Sequence, residues 1–281
     1  MSYSPTVRRR RLSAALRQFR AEVGLHADEV AQRLEWTPSK VTRIERNAWK
    51  LPSVRDVRDL LDVYGIADAT QREAILALTR QARQRGWWEE YKDVLGGSMP
   101  GFEAEASAIL THESLLVPGL LQTRDYAAAV FRGGQVVPDD LVDRRVDARL
   151  ARQRILDRDD PPTLWAVIDE AALAKHVGGV GVMRAQIEHI IAMAARPNIA
   201  VQVVPNTVGA HAAMENAFTI LQFAASEDPT LVHVEMITGD LFMEEPSQVS
   251  SYTVVYDHVR ASALSADTSV TYLEDLADQL K

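Results

Sequence analysis

The chain contains no cysteine, which excludes disulfide bridges, thiolate zinc sites and cysteine nucleophiles. It also lacks a long apolar run, because the longest uncharged stretch, residues 197–214, holds prolines and polar side chains that break a membrane helix. After the basic run Arg8–Arg11, Arg17 and Arg20 interrupt the apolar residues too early for a signal peptide. We therefore expect a cytoplasmic protein without a transmembrane span.

Acidic residues outnumber basic ones, 39 to 31, which gives the 281 residues a formal net charge of −8, but the two signs are unevenly distributed. Residues 1–85 hold 17 Lys and Arg against 10 Asp and Glu, a formal +7, whereas the remainder carries −15. Basic charge releases counterions from DNA, and an acidic remainder stays away from phosphates. Solubility alone would explain an acidic bias but not this contrast between the two parts.

The length and the change of pattern along the chain predict two domains. Residues 1–85 are predicted to form a bundle of about five helices, and residues 102–281 a mixed α/β domain with one sheet. Residues 86–101 between them are predicted to be a linker with a glycine-rich hinge at 96–101. Three aromatic residues in this linker are expected to anchor it between the domains. They are Trp87, Trp88 and Tyr91.

The second domain is predicted from short β-branched runs and from helical periodicity. Strands are predicted at residues 163–168, 199–204, 218–223 and 231–237. Helices are predicted at residues 124–131, 139–157, 182–195, 246–263 and 267–280. The fold class is therefore an α-helical domain followed by an α/β domain.

The most informative segment is Gly24–Asn47, whose pattern predicts two short helices joined by a tight turn. The first helix is predicted at His26–Leu34, and the second at Thr37–Asn47, with a threonine N-cap hydroxyl and a proline in the first turn. A capping box at Ser53 and another at Thr70 predict the two helices that follow.

The second of these short helices carries a polar face beside its buried face. Val41 and Ile44 point to the core, whereas four polar residues share another face. These are Ser39, Thr42, Arg43 and Arg46. An arginine fork pairs bidentately with guanine, and a hydroxyl reaches base edges or phosphates. The face is typical of a helix that lies in the DNA major groove, although a solvated amphipathic helix has a similar pattern.

The N-terminal part resembles the lambda-repressor-like, XRE-type helix-turn-helix family. The resemblance depends on Gly24-Leu25, Val30-Ala31, the block Ser39–Asn47 and the closing block Leu60–Ile66. It implies a five-helix bundle in which Arg20 pairs with Glu45 and fixes the recognition helix. Three positions depart from the family pattern, which has Gln in place of Ala27 and Gly in place of Glu35 and Asn47.

The second part resembles the C-terminal domain of antitoxin-like actinobacterial regulators. Its motifs are Leu116–Ala127, Arg149-x-x-Arg152-Gln153, Asp169–Leu173, Gln202–Pro205 and Gly209–His211. The resemblance implies a domain that dimerises or senses a signal, such as a small acidic partner protein. Physically, Arg149, Arg152 and Arg154 beside Asp143 and Asp147 predict a solvent-facing charge ladder on a helix.

A search for catalytic motifs predicts no enzyme. The chain has no G-x-S-x-G elbow, Walker loop or H-E-x-x-H pair. His211 with Glu215, or His233 with Glu235, has the spacing to bind metal or transfer protons, but solvated side chains are the simpler interpretation. His211 is retained as a candidate ligand or partner contact, and no metal or cofactor is predicted.

We therefore predict a sequence-specific DNA-binding transcription regulator that acts as a homodimer on a pseudo-palindromic operator. Ser39, Thr42 and Arg43 are predicted to contact bases. The residues predicted to contact phosphates are Lys40, Arg46, Arg8, Arg9, Arg10 and Arg11. The partners are double-stranded DNA and either a small acidic protein or a small-molecule effector. The alternative is an antitoxin-like protein that mainly binds a small partner protein and contacts DNA for autoregulation.

Overall fold

The computed structural model describes residues 4–49, 51–134, 138–225 and 228–280. The chain divides into two compact units, Met1–Glu89 and Glu90–Lys281, and the division falls inside the predicted linker. The glycine-rich hinge is only partly a loop, because a short helix begins at Met99 and buries Pro100 and Phe102. Trp87–Tyr91 is a turn of 3-10 helix with half-buried aromatic side chains.

The first unit consists of five α-helices, in agreement with the sequence prediction. They are α1 (Pro5–Glu22), α2 (Ala27–Arg33), α3 (Pro38–Glu45), α4 (Val54–Val63) and α5 (Ala69–Ala82). The Ser53 hydroxyl caps α4 by accepting a hydrogen bond from the Asp56 amide. The prediction that Thr70 caps α5 is wrong, because Asp68 accepts the hydrogen bond from the Gln71 amide. An aspartate two residues earlier performs the same function.

The core of the first unit positions α2 and α3. The two helices bury Val30, Ala31, Val41 and Ile44 in a cluster that also contains apolar residues of α1, α4 and α5. This burial agrees with the predicted apolar spacing of the two helices. Since the buried side of α3 is held by four other helices, its opposite side faces solvent as a fixed surface.

Two residues that are not glycine adopt left-handed backbone conformations at the ends of the short helices. Glu35 follows α2 with φ 54°, and Asn47 follows α3 with φ 55°. These are the positions where the family pattern has glycine, which adopts such angles without steric cost. Asparagine tolerates this region, whereas glutamate is strained in it. Both short helices are thus followed by a residue in a left-handed conformation, although neither position is a glycine.

A buried ion pair fixes α3 against α1. Arg20 donates two hydrogen bonds to the Glu45 carboxylate, at 2.7 and 2.8 Å, and a third to the Leu25 carbonyl. The Tyr64 hydroxyl also donates to Glu45, at 3.3 Å. The Glu45 side chain is only 6% exposed, and burial together with this carboxylate raises the pKa of Tyr64. The pair is structural, because its polar atoms point into the bundle.

The second unit is built on one six-stranded sheet with the order β3-β2-β1-β4-β5-β6. The strands are β1 (Ala106–Glu113), β2 (Thr163–Asp169), β3 (Ile199–Val204), β4 (Phe218–Phe223), β5 (Leu231–Met236) and β6 (Gly239–Met243). The helices are α6 (Met99–Glu103), α7 (Arg124–Gly133), α8 (Asp139–Gln153), α9 (Glu170–Leu173), α10 (Val180–Ala194), α11 (Pro246–Ser262) and α12 (Ala266–Gln279). The mixed α/β fold and the five helices predicted in this unit are confirmed.

Strand β1 joins two differently built halves of the sheet. It pairs in parallel with β2, which pairs in parallel with β3, and it pairs antiparallel with β4. Four of the six strands were predicted to within a residue or so, but β1 and β6 were missed. Because β1, β2 and β3 run in parallel, their carboxyl ends meet at one edge of the sheet, where α/β proteins usually bind ligands.

No helix among the described residues is both long and apolar enough to cross a membrane.

The ion pair between Arg20 of α1 and Glu45 of α3 leads to a stability prediction. Replacing Arg20 with Ala leaves the Glu45 carboxylate in a mostly apolar environment, and we expect the first unit to lose about 3 kcal/mol of unfolding free energy. Urea unfolding followed by tryptophan fluorescence measures this loss, since four of the five tryptophans lie at positions 36–88.

Arg17→Ala is the matched control, because Arg17 is exposed on the same helix. It should change the unfolding free energy by less than about 0.5 kcal/mol. Equal losses for the two variants would contradict the role of the ion pair.

Candidate nucleic-acid interface and ligand pocket

The exposed side of α3 presents two guanidinium groups to solvent. Arg43 and Arg46 are exposed, and neither makes a hydrogen bond or an ion pair with a residue that the structure describes. Ser39 is exposed one turn earlier, and its hydroxyl lies 3.2 Å from that of Thr37. These three side chains are therefore available to an external partner without breaking a strong internal contact.

Thr42 and Lys40 are more engaged within the unit. The Thr42 hydroxyl donates to the Pro38 carbonyl at 3.2 Å, so only its lone pairs remain for a partner. The Lys40 ammonium lies 3.0 Å from an Asp56 carboxylate oxygen and 3.6 Å above the centre of the Trp36 ring. Lys40 therefore holds α3 against neighbouring segments. Its predicted phosphate contact stays a prediction.

The hydroxyl of Thr37 does not cap α3 as the sequence predicts. Thr37 occupies the N-cap position with extended backbone angles, but its side chain makes no capping hydrogen bond. The hydroxyl faces Ser39 instead. The amides of the first turn of α3 are consequently left without the side-chain acceptor that was expected.

The basic run Arg8–Arg11 lies within α1. Ser4 caps this helix, and all four arginines are half-buried. Four consecutive residues point around the whole circumference of a helix, so they do not form one basic face. The run is therefore not the exposed basic segment that its composition suggested.

Burial of individual nitrogen atoms disagrees with the predicted phosphate contacts of this run, most clearly at Arg10. Both terminal guanidinium nitrogens of Arg10 are buried, as are the Nε atoms of Arg8 and Arg9. Burial also lowers the pKa of Arg9, while the nearby Glu89 opposes that change. The Arg10 guanidinium would have to leave its present position to reach a phosphate. The contacts predicted for Arg8, Arg9 and Arg11 stay predictions.

The second unit contains a polar pocket next to the end of β1. It has a volume of about 300 Å³, and a hollow of about 340 Å³ adjoins it and shares several lining residues. Charged groups from separate elements meet in the lining of the pocket. They are Glu113 from β1, Arg149 and Arg152 from α8, and Glu235 from β5. The volume suits a small molecule of a few functional groups.

The two arginines of this pocket are held by different partners. Arg152 donates two hydrogen bonds, at 2.5 and 2.6 Å, to Glu103, whose side chain is only 1% exposed. Arg149 donates to the Gln122 amide oxygen and lies 4.4 Å above the Phe131 ring. Burial, reinforced by the nearby Arg152, lowers the pKa of Arg149 to about 10. Arg149 still lines the pocket as a cation, and no carboxylate of the described residues forms an ion pair with it.

Glu113 is the most unusual group in the pocket. Burial raises its pKa to about 7, reinforced by the nearby Glu235 and opposed by Arg152 and Arg149. No hydrogen bond reaches its carboxyl group from any residue that the structure describes. The pocket therefore contains an acid that gains or loses its proton near neutral pH, beside the arginine Arg149.

The charge ladder predicted on α8 is wrong for Arg149 and Arg152. Both side chains turn into the pocket, and the partner of Arg152 comes from α6 rather than from its own helix. Nothing in the local spacing of α8 distinguishes a pocket lining from a surface ladder. Sequence reasoning also missed Glu113, because strand β1 was not predicted.

The solvated environment expected for His233 is wrong, and the carboxylate beside His211 is that of Asp169 rather than Glu215. His233 is buried rather than solvated, and its Nε2 atom lies 2.9 Å from an Asp240 carboxylate oxygen. His211 lies 3.2 Å from the carboxylate of Asp169, whereas Glu215 is exposed. In both cases the carboxylate beside the histidine belongs to a different element from the histidine. Asp240 lies on β6, and Asp169 is the last residue of β2.

The raised pKa of Glu113 leads to a pH prediction. The ordinary pKa of 4.5 applies to the unfolded chain, so the folded chain binds this proton more tightly. The contribution of protonated Glu113 to the free energy of unfolding should be complete below pH 4.5, decline as the pH rises, and be lost above about pH 7. The shift corresponds to about 3 kcal/mol.

The pH dependence of the unfolding free energy of wild type is compared with that of Glu113→Gln, whose side chain cannot lose a proton. Amide hydrogen exchange of β1 and β2, corrected for intrinsic rates, measures the unfolding free energy of the second unit alone. The difference between wild type and variant should change over this pH range. Two parallel pH curves would contradict the assignment.

Comparisons with known families agree with this two-part organisation. Residues 11–75 match the model of a helix-turn-helix domain. Residues 97–275 match the model of a domain of unknown function, DUF5753. No curated protein and no solved structure matches the chain. The chain thus carries an N-terminal helix-turn-helix DNA-binding domain and, since the second match covers more than half of its length, belongs to the DUF5753 family.

Proposed function

We propose that the protein is a sequence-specific transcription regulator that reads DNA with α3. The observation that carries the proposal is the pair of exposed guanidinium groups, Arg43 and Arg46, on a helix whose other side is locked into the bundle. An arginine fork in the major groove recognises guanine, and a second arginine on the same helix contacts phosphate. The five-helix arrangement supports assignment of the unit to the lambda-repressor-like, XRE-type group.

The proposed operator is a pseudo-palindrome bound by a homodimer. A single chain offers one reading helix of eight residues, which contacts only a few base pairs. Two chains place two such helices in successive major grooves, about 34 Å apart, and double the number of specific contacts. Symmetric dimerisation is the usual way in which a protein with a short recognition helix binds its operator with sufficient affinity.

The second unit is proposed to sense a small molecule rather than to catalyse a reaction. The pocket between β1, α8 and β5 supports this role, because its lining combines the Arg149 cation, a carboxyl group that titrates near neutral pH and an aromatic side chain. Such a lining suits a ligand with an anionic group that pairs with Arg149 and a hydrogen-bond donor that contacts Glu113 or Glu235. No reaction is assigned to this lining.

Titration of full-length protein against DNA tests the proposed function. Fluorescence anisotropy compares DNA from upstream of its own gene with a scrambled duplex over a series of salt concentrations. Wild type should prefer the upstream DNA. Arg43→Ala should lose about 1–3 kcal/mol on that DNA and much of the preference, since one bidentate base contact is removed.

Arg184→Ala is the control for the loss of one positive charge, because Arg184 lies in the second unit and pairs with Glu188. It should leave the preference unchanged. Equal losses of Arg43→Ala on both DNAs would refute base contact by Arg43. Weak, salt-sensitive binding of wild type to both duplexes would instead favour the partner-binding alternative.

Arg46→Ala should behave differently from Arg43→Ala in the same titrations. Its predicted contact is with phosphate, so affinity should fall by a similar factor on both duplexes. The slope of log affinity against log salt should decrease by about one, because one fewer counterion is released. A change in preference with an unchanged salt slope would place Arg46 at a base instead.

A further inference from the structure

Three side chains from separate segments of the second unit converge at the carboxyl ends of the parallel strands. His112 is the penultimate residue of β1, Asp169 is the last residue of β2, and His211 lies in the loop between β3 and β4. One potential ligand atom of each lies within 4.8 Å of the other two. Within the described residues, this is the one such group of three.

The distances in this group are those of ligands around a metal ion. The Nε2 atom of His112 lies 3.3 Å from one oxygen of Asp169, and the Nε2 atom of His211 lies 3.2 Å from the other. Ligands placed 2.0–2.1 Å from a tetrahedral ion are separated from one another by about 3.3 Å. Each nitrogen–oxygen separation therefore matches that of two ligands of one ion, the two contacts use different oxygens of Asp169, and the candidate ligand atoms all lie within 4.8 Å of one another.

The contacts are close, but they do not have hydrogen-bond geometry. His112 is 0% exposed, and neither of its ring nitrogens has a hydrogen-bond partner among the described residues. No hydrogen bond joins His211 to Asp169 either, although their atoms are near enough. A buried imidazole without a partner is uncommon, because its polar atoms lose hydration without compensation. A cation between the three side chains would supply the missing partner.

We propose that His112, Asp169 and His211 bind one divalent transition-metal ion, for which Zn²⁺ is the natural probe. Two imidazoles and one carboxylate are a ligand set for zinc and for related first-row ions, whereas Mg²⁺ and Ca²⁺ prefer oxygen ligands alone. The Asp169 side chain is 13% exposed and that of His211 6% exposed, so the ion can be reached from the loop side. Three protein ligands leave a position for water.

Metal binding requires a change in the loop that carries His211. The Ala213 amide donates to Nδ1 of His211 at 3.3 Å, which places the proton of the neutral ring on Nε2. An ion bound at Nε2 moves that proton to Nδ1, and the Ala213 amide must then turn away. The loop should therefore differ between the metal-free and metal-bound states.

The test uses untagged full-length protein stripped with a chelator and titrated with Zn²⁺ in competition with a chromophoric chelator. Wild type should bind one Zn²⁺ per chain. Asp169→Asn and His211→Asn should each weaken binding at least about 100-fold, since removing a ligand costs no less than removing an outer partner. Hydrogen exchange of residues 205–217 should change with Zn²⁺ in wild type but not in these two variants.

Two matched controls separate this site from surface binding. His258→Asn removes an exposed histidine of α11, and Glu215→Gln removes an exposed carboxylate of the same loop. Both should bind Zn²⁺ as wild type does. Undiminished affinity in Asp169→Asn and His211→Asn, or loss of binding in His258→Asn, would overturn the proposal. Circular dichroism of the metal-free variants verifies folding, and His211→Asn alone carries the test if Asp169→Asn fails to fold.

Discussion

The two units share one constraint, because in each a buried carboxylate is held by paired hydrogen bonds from an arginine on another helix. Glu45 in the first unit and Glu103 in the second each accept two hydrogen bonds from one arginine. Removing one member of such a pair leaves a charge in an environment that cannot hydrate it. The arginine partners therefore fix the relative positions of α1 and α3 in one unit and of α6 and α8 in the other.

Against this background, the buried polar groups that lack partners stand out. The Glu113 carboxyl group accepts no hydrogen bond from the described residues, and the ring nitrogens of His112 donate and accept none. Both groups lie at the sheet edge where parallel strands end. Folding energetics alone favours neither arrangement, since the His112 ring nitrogens lose hydration without compensation and burial opposes the charged form of the Glu113 carboxyl group. Binding of an external group accounts for them more simply than packing does.

The helix-turn-helix could be predicted in detail because its signals are local. The apolar spacing of α2 and α3, the proline at the start of α3 and the polar face of Arg43 and Arg46 all lie within one short segment. The position of Lys40 could not be predicted, since its partner Asp56 belongs to another helix. The burial of Arg10 could not be predicted either, because four adjacent arginines have the composition of a solvated segment. Local patterns describe which face of a helix is polar, but not which polar atoms are already occupied.

The second unit was predicted in fold class but not in its sites. Strands β2 and β3 are rich in Val and Ile, whereas β1 begins with Ala and Ser and ends with His and Glu, and so resembles a loop. Its place at the centre of the sheet follows from pairing on both sides, which is not encoded in its own composition. Glu113, Arg149 and Glu235 meet only after the sheet has formed, as do His112, Asp169 and His211.

The last two residues of β1 carry a consequence for how this domain can evolve. His112 and Glu113 are neighbours, so the alternation of the strand directs them to opposite faces of the sheet, one towards the histidine–aspartate group and the other towards the pocket. Inserting or deleting a single residue in this strand would exchange the two faces and remove both sites together. Related chains should therefore vary freely in the length of the loops around β1 while keeping the register of the strand itself unchanged.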